Sequence, residues 1–184
     1  VDENTVLVSV MMINNEVGTI LPVSQIAAAV KRKNPKTLVH TDAVQAFGKV
    51  PVKADKLKAD FITVSSHKIH GPKGVGALYI RKGVRVSPLL YGGEQQRRIR
   101  PGTEAAPLIA GFGAACEDIM RNMKQNEAHV RSLRNKLIEL LSPISEISVN
   151  SDPEITTPYI LNISVTPIRS ETMLHFLESK GIYV

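Results

Sequence analysis

Short, almost uniformly apolar runs alternate with helical patterns along the first half of this chain, and that alternation limits the fold more than any other feature. Residues 5–13 (Thr-Val-Leu-Val-Ser-Val-Met-Met-Ile) form a β-rich run that stops at the turn residues Asn14 and Asn15. Pro22 then opens a helix to about Lys33, with Ile26, Ala27 and Val30 on one face. Further strands are expected at residues 37–41, 61–64 and 77–80. Strands with little polar alternation, separated by helices, predict an α/β fold with a mostly parallel sheet covered on both faces.

The pattern then changes. Residues 83–103 carry Gly83, Pro88, Gly92, Gly93, Pro101 and Gly102 and read as a long irregular stretch, of the kind that tends to be functional. Helices are expected over residues 105–123 and 127–141, the second stopping before Pro143. Strands at 146–149 and 159–165, a helix at 171–180 and a strand from Gly181 onward complete the reading. This places a domain boundary near residue 122, with residues 1–122 in a large sheet domain and 123–184 beginning a small α+β domain.

Composition narrows the function. No apolar run reaches the roughly 18–20 residues of a membrane span, and no signal-peptide pattern opens the chain, so no membrane partner and a cytoplasmic location are expected. A single cysteine, Cys116, excludes a disulfide framework and a thiolate cluster. The formal net charge is +6, but residues 31–100 hold sixteen Lys/Arg against four Asp/Glu. Aromatic residues make up only 4% and tryptophan is absent, which argues against a nucleic-acid surface built on base stacking. Anionic small molecules, phosphates above all, suit the basic middle, as does a merely solvated surface. The chain starts at Val1 and stops within an apolar run, and is expected to be part of a longer polypeptide.

The densest polar group, residues 65–76 (Ser-Ser-His-Lys-Ile-His-Gly-Pro-Lys-Gly-Val-Gly), follows directly on the strand at 61–64. Open α/β sheets bind ligands at such carboxyl ends. Upstream, His40 and Asp42 end another strand on one side of it, with Gln45 just beyond. A zinc site from His40, Asp42, His67 and His70 lacks a recognisable ligand spacing, so no metal is expected. A phosphate-binding P-loop fails on spacing and on its missing terminal hydroxyl residue. A lysine at one strand end near an aspartate from the next suits pyridoxal 5'-phosphate (PLP): Lys68 would hold the cofactor as a Schiff base, and Asp42 would keep the pyridine nitrogen protonated. Ser65, Ser66 and the glycine turn could supply phosphate donors. An ordinary basic surface loop remains the alternative.

Four segments in order then resemble the signatures of NifS/IscS-like cysteine desulfurases, in class V of the PLP-dependent aminotransferases: residues 14–18 (Asn-Asn-Glu-Val-Gly), 40–45 (His-Thr-Asp-Ala-Val-Gln), 65–74 and 100–104 (Arg-Pro-Gly-Thr-Glu). The resemblance implies the type I PLP-dependent transferase fold, with residues 1–122 as the later part of the PLP-binding domain. It implies that Lys68 binds the cofactor and moves protons at the substrate, that Asp42 partners the pyridine nitrogen, and that Gln45 bonds the 3'-oxygen. Ser65 and His67 match phosphate ligands, and Asn15 a residue beside the ring. Thr103 matches a threonine reaching the phosphate of the other subunit, hence a homodimer with shared active sites. His40 is read as structural. The activity implied is release of sulfur from L-cysteine, giving alanine and an enzyme persulfide, with a sulfur-acceptor or scaffold protein as further partner.

The family's catalytic cysteine, its ring-stacking histidine and its carboxylate-binding arginine have no match in these 184 residues, so the chain alone is expected not to desulfurate cysteine. Cys116 lies in a small-residue helix and is read as a buried packing residue. A selenocysteine lyase or another class V enzyme, and a non-catalytic dimerisation or docking fragment, remain open at this point.

Overall fold

A computed structural model describes all residues, 1–184. The chain divides into two units: residues 1–13 with 21–123, and residues 14–20 with 124–184.

The first unit is built on a four-stranded sheet, β1 (Leu7–Met11), β2 (Leu38–Asp42), β3 (Phe61–Ser65) and β4 (Gly76–Ile80), in that spatial order. β1, β2 and β3 run parallel, and β4 returns antiparallel to β3. The fold is therefore α/β with a mixed, mostly parallel sheet. The helix α1 (Val23–Lys33) starts directly after Pro22 and ends on Lys31, Arg32 and Lys33, cations suited to a helix carboxyl end. It buries Ala27 and Val30 against Val39 of β2, with Val8 and Ile26 at the margin. A short helix, α2 (Ala54–Leu57), precedes β3.

The long helix α3 (Ala106–Leu141) packs Phe112 and Ile119 around Ile69, with Phe47, Val64, Val75 and Cys116 alongside. By strand alternation, Val39 and Val64 lie on one face of the sheet, so α1 and the start of α3 cover that same face. On the other, Leu7, Ser9 and Met11 are exposed and Leu38 and His40 only half-buried. The expectation of a sheet covered on both faces is thus not met within this chain. Uniformly apolar strands report burial potential, not which residues cover them.

Two other expectations change. The helices expected at 105–123 and 127–141 are a single α3, because the polar residues 124–126 contain neither glycine nor proline to break it. No strand forms from Gly181 onward, where Gly181 sits in a turn with φ +76°.

In the second unit β5 (Ile147–Val149) and β6 (Ile163–Val165) pair antiparallel, and α4 (Ser170–Glu178) follows. Thr19 bridges Thr156. Arg134 is buried and donates to the carbonyls of Ser151 and Thr157, at 3.2 and 3.3 Å, and to Thr156 Oγ1 at 2.9 Å. No helix of the chain is long and apolar enough to cross a membrane.

The first unit is clamped by Asp60. Its carboxylate is almost fully buried, accepts the Val39 N–H at 2.8 Å, and pairs with Lys31 at 3.0 Å and Arg81 at 2.6 Å. Burial pushes its carboxyl upward, but the Val39 N–H and the two cations outweigh this and hold it below the ordinary value. A depressed carboxyl stabilises the fold above the unfolded pKa of about 3.9, and that stability drains away as pH falls through the lower folded value. Asp60→Asn is expected to cost about 3 kcal/mol in urea unfolding at neutral pH, and to flatten the loss of stability below about pH 4. Unchanged stability at both pH values would remove Asp60 from this role. In the second unit, Arg134→Met should leave two buried carbonyls short of a donor and cost about 2 kcal/mol locally, read as faster amide exchange over residues 151–157.

Candidate functional site

The carboxyl ends of β2 and β3 lie side by side. Asp42 stands opposite Thr63 in the register, and the Ala43 N–H donates to the Thr63 carbonyl at 2.9 Å, which stitches the two ends together just where each strand stops. The Asp42 carboxylate is exposed, with Oδ1 accepting the Val44 N–H at 2.8 Å. This bond turns the chain away from the strand and fixes the side chain at its end.

Beyond β3 the chain closes a tight 3-10 turn over Ser66–Ile69, with His70 in the left-handed region at φ +66°. Ser66 and Ile69 are buried, whereas His67 and Lys68 between them are exposed. The turn thus anchors on its first and last residues and presents the middle pair to solvent. Ser65 Oγ and His67 Nδ1 lie 2.7 Å apart and form a hydroxyl–imidazole pair. Gly71 lets the chain fold back, since a Cβ there would sit 2.1 Å from Ser66 Oγ. Its N–H donates to the Ser66 carbonyl, and Ser66 N–H donates to Val75. The base of the loop is therefore closed by its own backbone.

His40 bonds Ser9 Oγ through Nδ1 at 2.7 Å and Thr63 Oγ1 through Nε2 at 3.1 Å. Both ring nitrogens are occupied, so the imidazole links three strands one step behind Asp42. No group of three or more potential metal ligands occurs in the chain.

Asp42, Gln45, Ser65, His67 and Lys68 thus all belong to the two adjoining strand ends and their turns. Thr103 is exposed in the loop before α3, and no hydrogen bond ties it to this group. Asn15 belongs to the other unit, where it is exposed in the turn that Asn14 caps through the Glu16 and Val17 N–H groups. Cys116 is half-buried against the Ile69–Phe112–Ile119 cluster, and burial pushes its thiol up. It is therefore a poorer nucleophile than an ordinary exposed thiol.

One residue escaped the sequence reading. Lys49 Nζ donates to Gln45 Oε1 at 2.9 Å, and burial, followed by the charge of Lys68, depresses its pKa. The available signal was the four-residue spacing from Gln45, hidden because Gly48 reads as the end of any helical turn.

Comparison with known proteins identifies the family. The sequence profile of the aminotransferase class-V family matches residues 1–184. Cysteine desulfurase IscS of Methanosarcina thermophila is 42% identical over 98% of this chain and 44% of its own length. The mitochondrial cysteine desulfurase of Saccharomyces cerevisiae is 42% identical over 93% of this chain and 34% of its own. Among solved structures, a NifS-like protein superposes with a TM-score of 0.96 at 46% identity, covering all of this chain and 50% of that protein. DndA from Streptomyces lividans gives 0.84 at 37% identity, over 97% and 51%. The chain spans between 34% and 51% of the length of these relatives. With the family profile matched from end to end and the strand-end geometry in place, the chain belongs to the class-V aminotransferase family.

Proposed function

We propose that the complete protein carrying this chain is a PLP-dependent cysteine desulfurase acting on L-cysteine, with the sulfur passed to a protein acceptor. The observation that carries the reading is the Ala43–Thr63 backbone bond, which sets a carboxylate and a lysine turn on adjoining parallel strand ends. The named relatives support it, since those from Methanosarcina thermophila and Saccharomyces cerevisiae are cysteine desulfurases.

The donor set fits the cofactor's chemistry group by group. Asp42 offers an exposed carboxylate for a protonated ring nitrogen, and Gln45 an amide for the phenolic oxygen. Ser65 and His67 offer a hydroxyl and an imidazole N–H for phosphate, and Lys68 an exposed amine for the aldehyde. When bound, PLP supplies the electron sink that weakens bonds at the substrate Cα. Asp42 holds the proton on the ring nitrogen, because a carboxylate there makes its loss unfavourable. Lys68 Nζ attaches the cofactor and, as a free amine, carries the proton at the substrate Cα. Ser65 and His67, paired with each other, would hold the phosphate. The resemblance of residues 100–104 to the family's signature, in which Thr103 matches a threonine reaching the phosphate of a second subunit, is the reason we propose a homodimer, and Thr103 is exposed on its loop.

In the complete protein, Lys68→Ala should abolish turnover, and borohydride reduction with PLP followed by peptide mapping should label Lys68. A label on Lys73 would overturn the assignment. Asp42→Asn keeps the shape but removes the charge, so turnover should fall at least about a hundredfold with the cofactor still bound. Near-normal turnover would show that the ring nitrogen has another partner.

A further inference from the structure

We propose that Lys49 is a positioning residue of this site: its ammonium fixes the Gln45 side chain so that the amide N–H groups, not the amide oxygen, face the group Gln45 serves. The inference rests on the PLP reading above.

The argument begins with donor chemistry. A lysine ammonium has three donors and no acceptor, whereas a glutamine amide has one end of each kind and can be satisfied either way round. With Lys49 Nζ 2.9 Å from Gln45 Oε1, only the oxygen can face the lysine, and Nε2 is turned away from it. An amide held so presents donors alone to its remaining partner. The phenolic oxygen of PLP, which is an acceptor when deprotonated, suits such a donor, and a freely flipping amide would offer it a repelling oxygen part of the time.

The fold builds this pairing deliberately. After β2 the chain winds through a helical turn, with Phe47 N–H donating to Ala43 and Val50 N–H to Ala46, so residues four apart share a side. Gly48, at φ +77°, packs so closely that a Cβ would meet Ile119 Cγ1 at 2.8 Å and Ile69 Cγ2 at 3.0 Å. Lys49 therefore leaves a backbone clamped against the start of α3 and the floor of the Lys68 turn. Its side chain is half-buried, and the depression of its pKa by burial and by Lys68 marks a charge held at some cost next to the lysine turn. A lysine serving only solubility would extend into water.

The test uses the complete protein stripped of cofactor, titrated with PLP and with a 3-deoxy analogue lacking the phenolic oxygen, followed by the visible band or by fluorescence. Lys49→Met is expected to weaken PLP binding about tenfold and to leave the analogue unaffected. Gln45→Ala should show the same pattern, and the double variant should be no weaker than Gln45→Ala alone. Should Lys49→Met fail to fold, Lys49→Gln carries the same test: its amide accepts as well as donates, so it no longer imposes one orientation. PLP affinity equal to wild type in these variants, losses that multiply in the double variant, or an equal loss for the analogue would each overturn the role of Lys49 while leaving the PLP reading intact. A wild-type protein that develops no visible band with PLP would overturn both.

Discussion

The arrangement at the carboxyl ends of β2 and β3 depends on a buried carboxylate at their opposite ends. Asp60 receives the Val39 N–H on its side chain and returns its own N–H to the Val39 carbonyl at 2.7 Å, while its carbonyl accepts the Arg81 N–H at 2.8 Å. One residue thereby sets the register of β2 against β3 and of β3 against β4. Lys31 adds α1 to the same node. A slip of one residue in either pairing would turn Asp42 or Ser65 to the opposite face. The cost of burying a charge is offset by hydrogen bonds and two cations, and the node fixes strand position as well as adding stability.

From that register the local chemistry follows by close packing. Ser66 and Ile69 pin the turn from below, Gly71 allows the chain to pass over Ser66, and Gly48 brings the Gln45–Lys49 turn against Ile119. These contacts leave Lys68 and His67 exposed between two anchors. His40, satisfied on both nitrogens by Ser9 and Thr63, behaves as a cross-strand tie, in keeping with its structural reading.

Much of this was legible in the sequence because strand ends announce themselves. β2 and β3 stop at Asp42 and Ser65, next to polar and glycine-rich turns, so the grouping of Asp42 with residues 65–68 could be read from the pattern alone. The unbroken α3 was harder. A polar interlude at residues 124–126 resembles a loop in composition, yet without a glycine or proline the backbone has no reason to leave the helix. The expected strand at 159–165 is shortened to Ile163–Val165, because the ladder to β5 spans only three residues. Lys49 was missed for another reason: it bonds Gln45 four residues back, but Gly48 between them reads as the end of a helical turn.

The antiparallel pairing of β3 with β4 gives the two halves of the site different folding histories. Residues 65 and 76 face each other in the ladder, so the lysine turn is the loop of a local hairpin closed over ten intervening residues. Asp42 meets β3 only through a crossover from residue 43 to residue 60. Short loops lose little entropy on closing, and parallel crossovers lose more and close more slowly. The Lys68 turn is thus encoded nearby in sequence, whereas its alignment with Asp42 is a long-range event. A nascent chain can shape the lysine turn before the sheet that makes it useful has assembled.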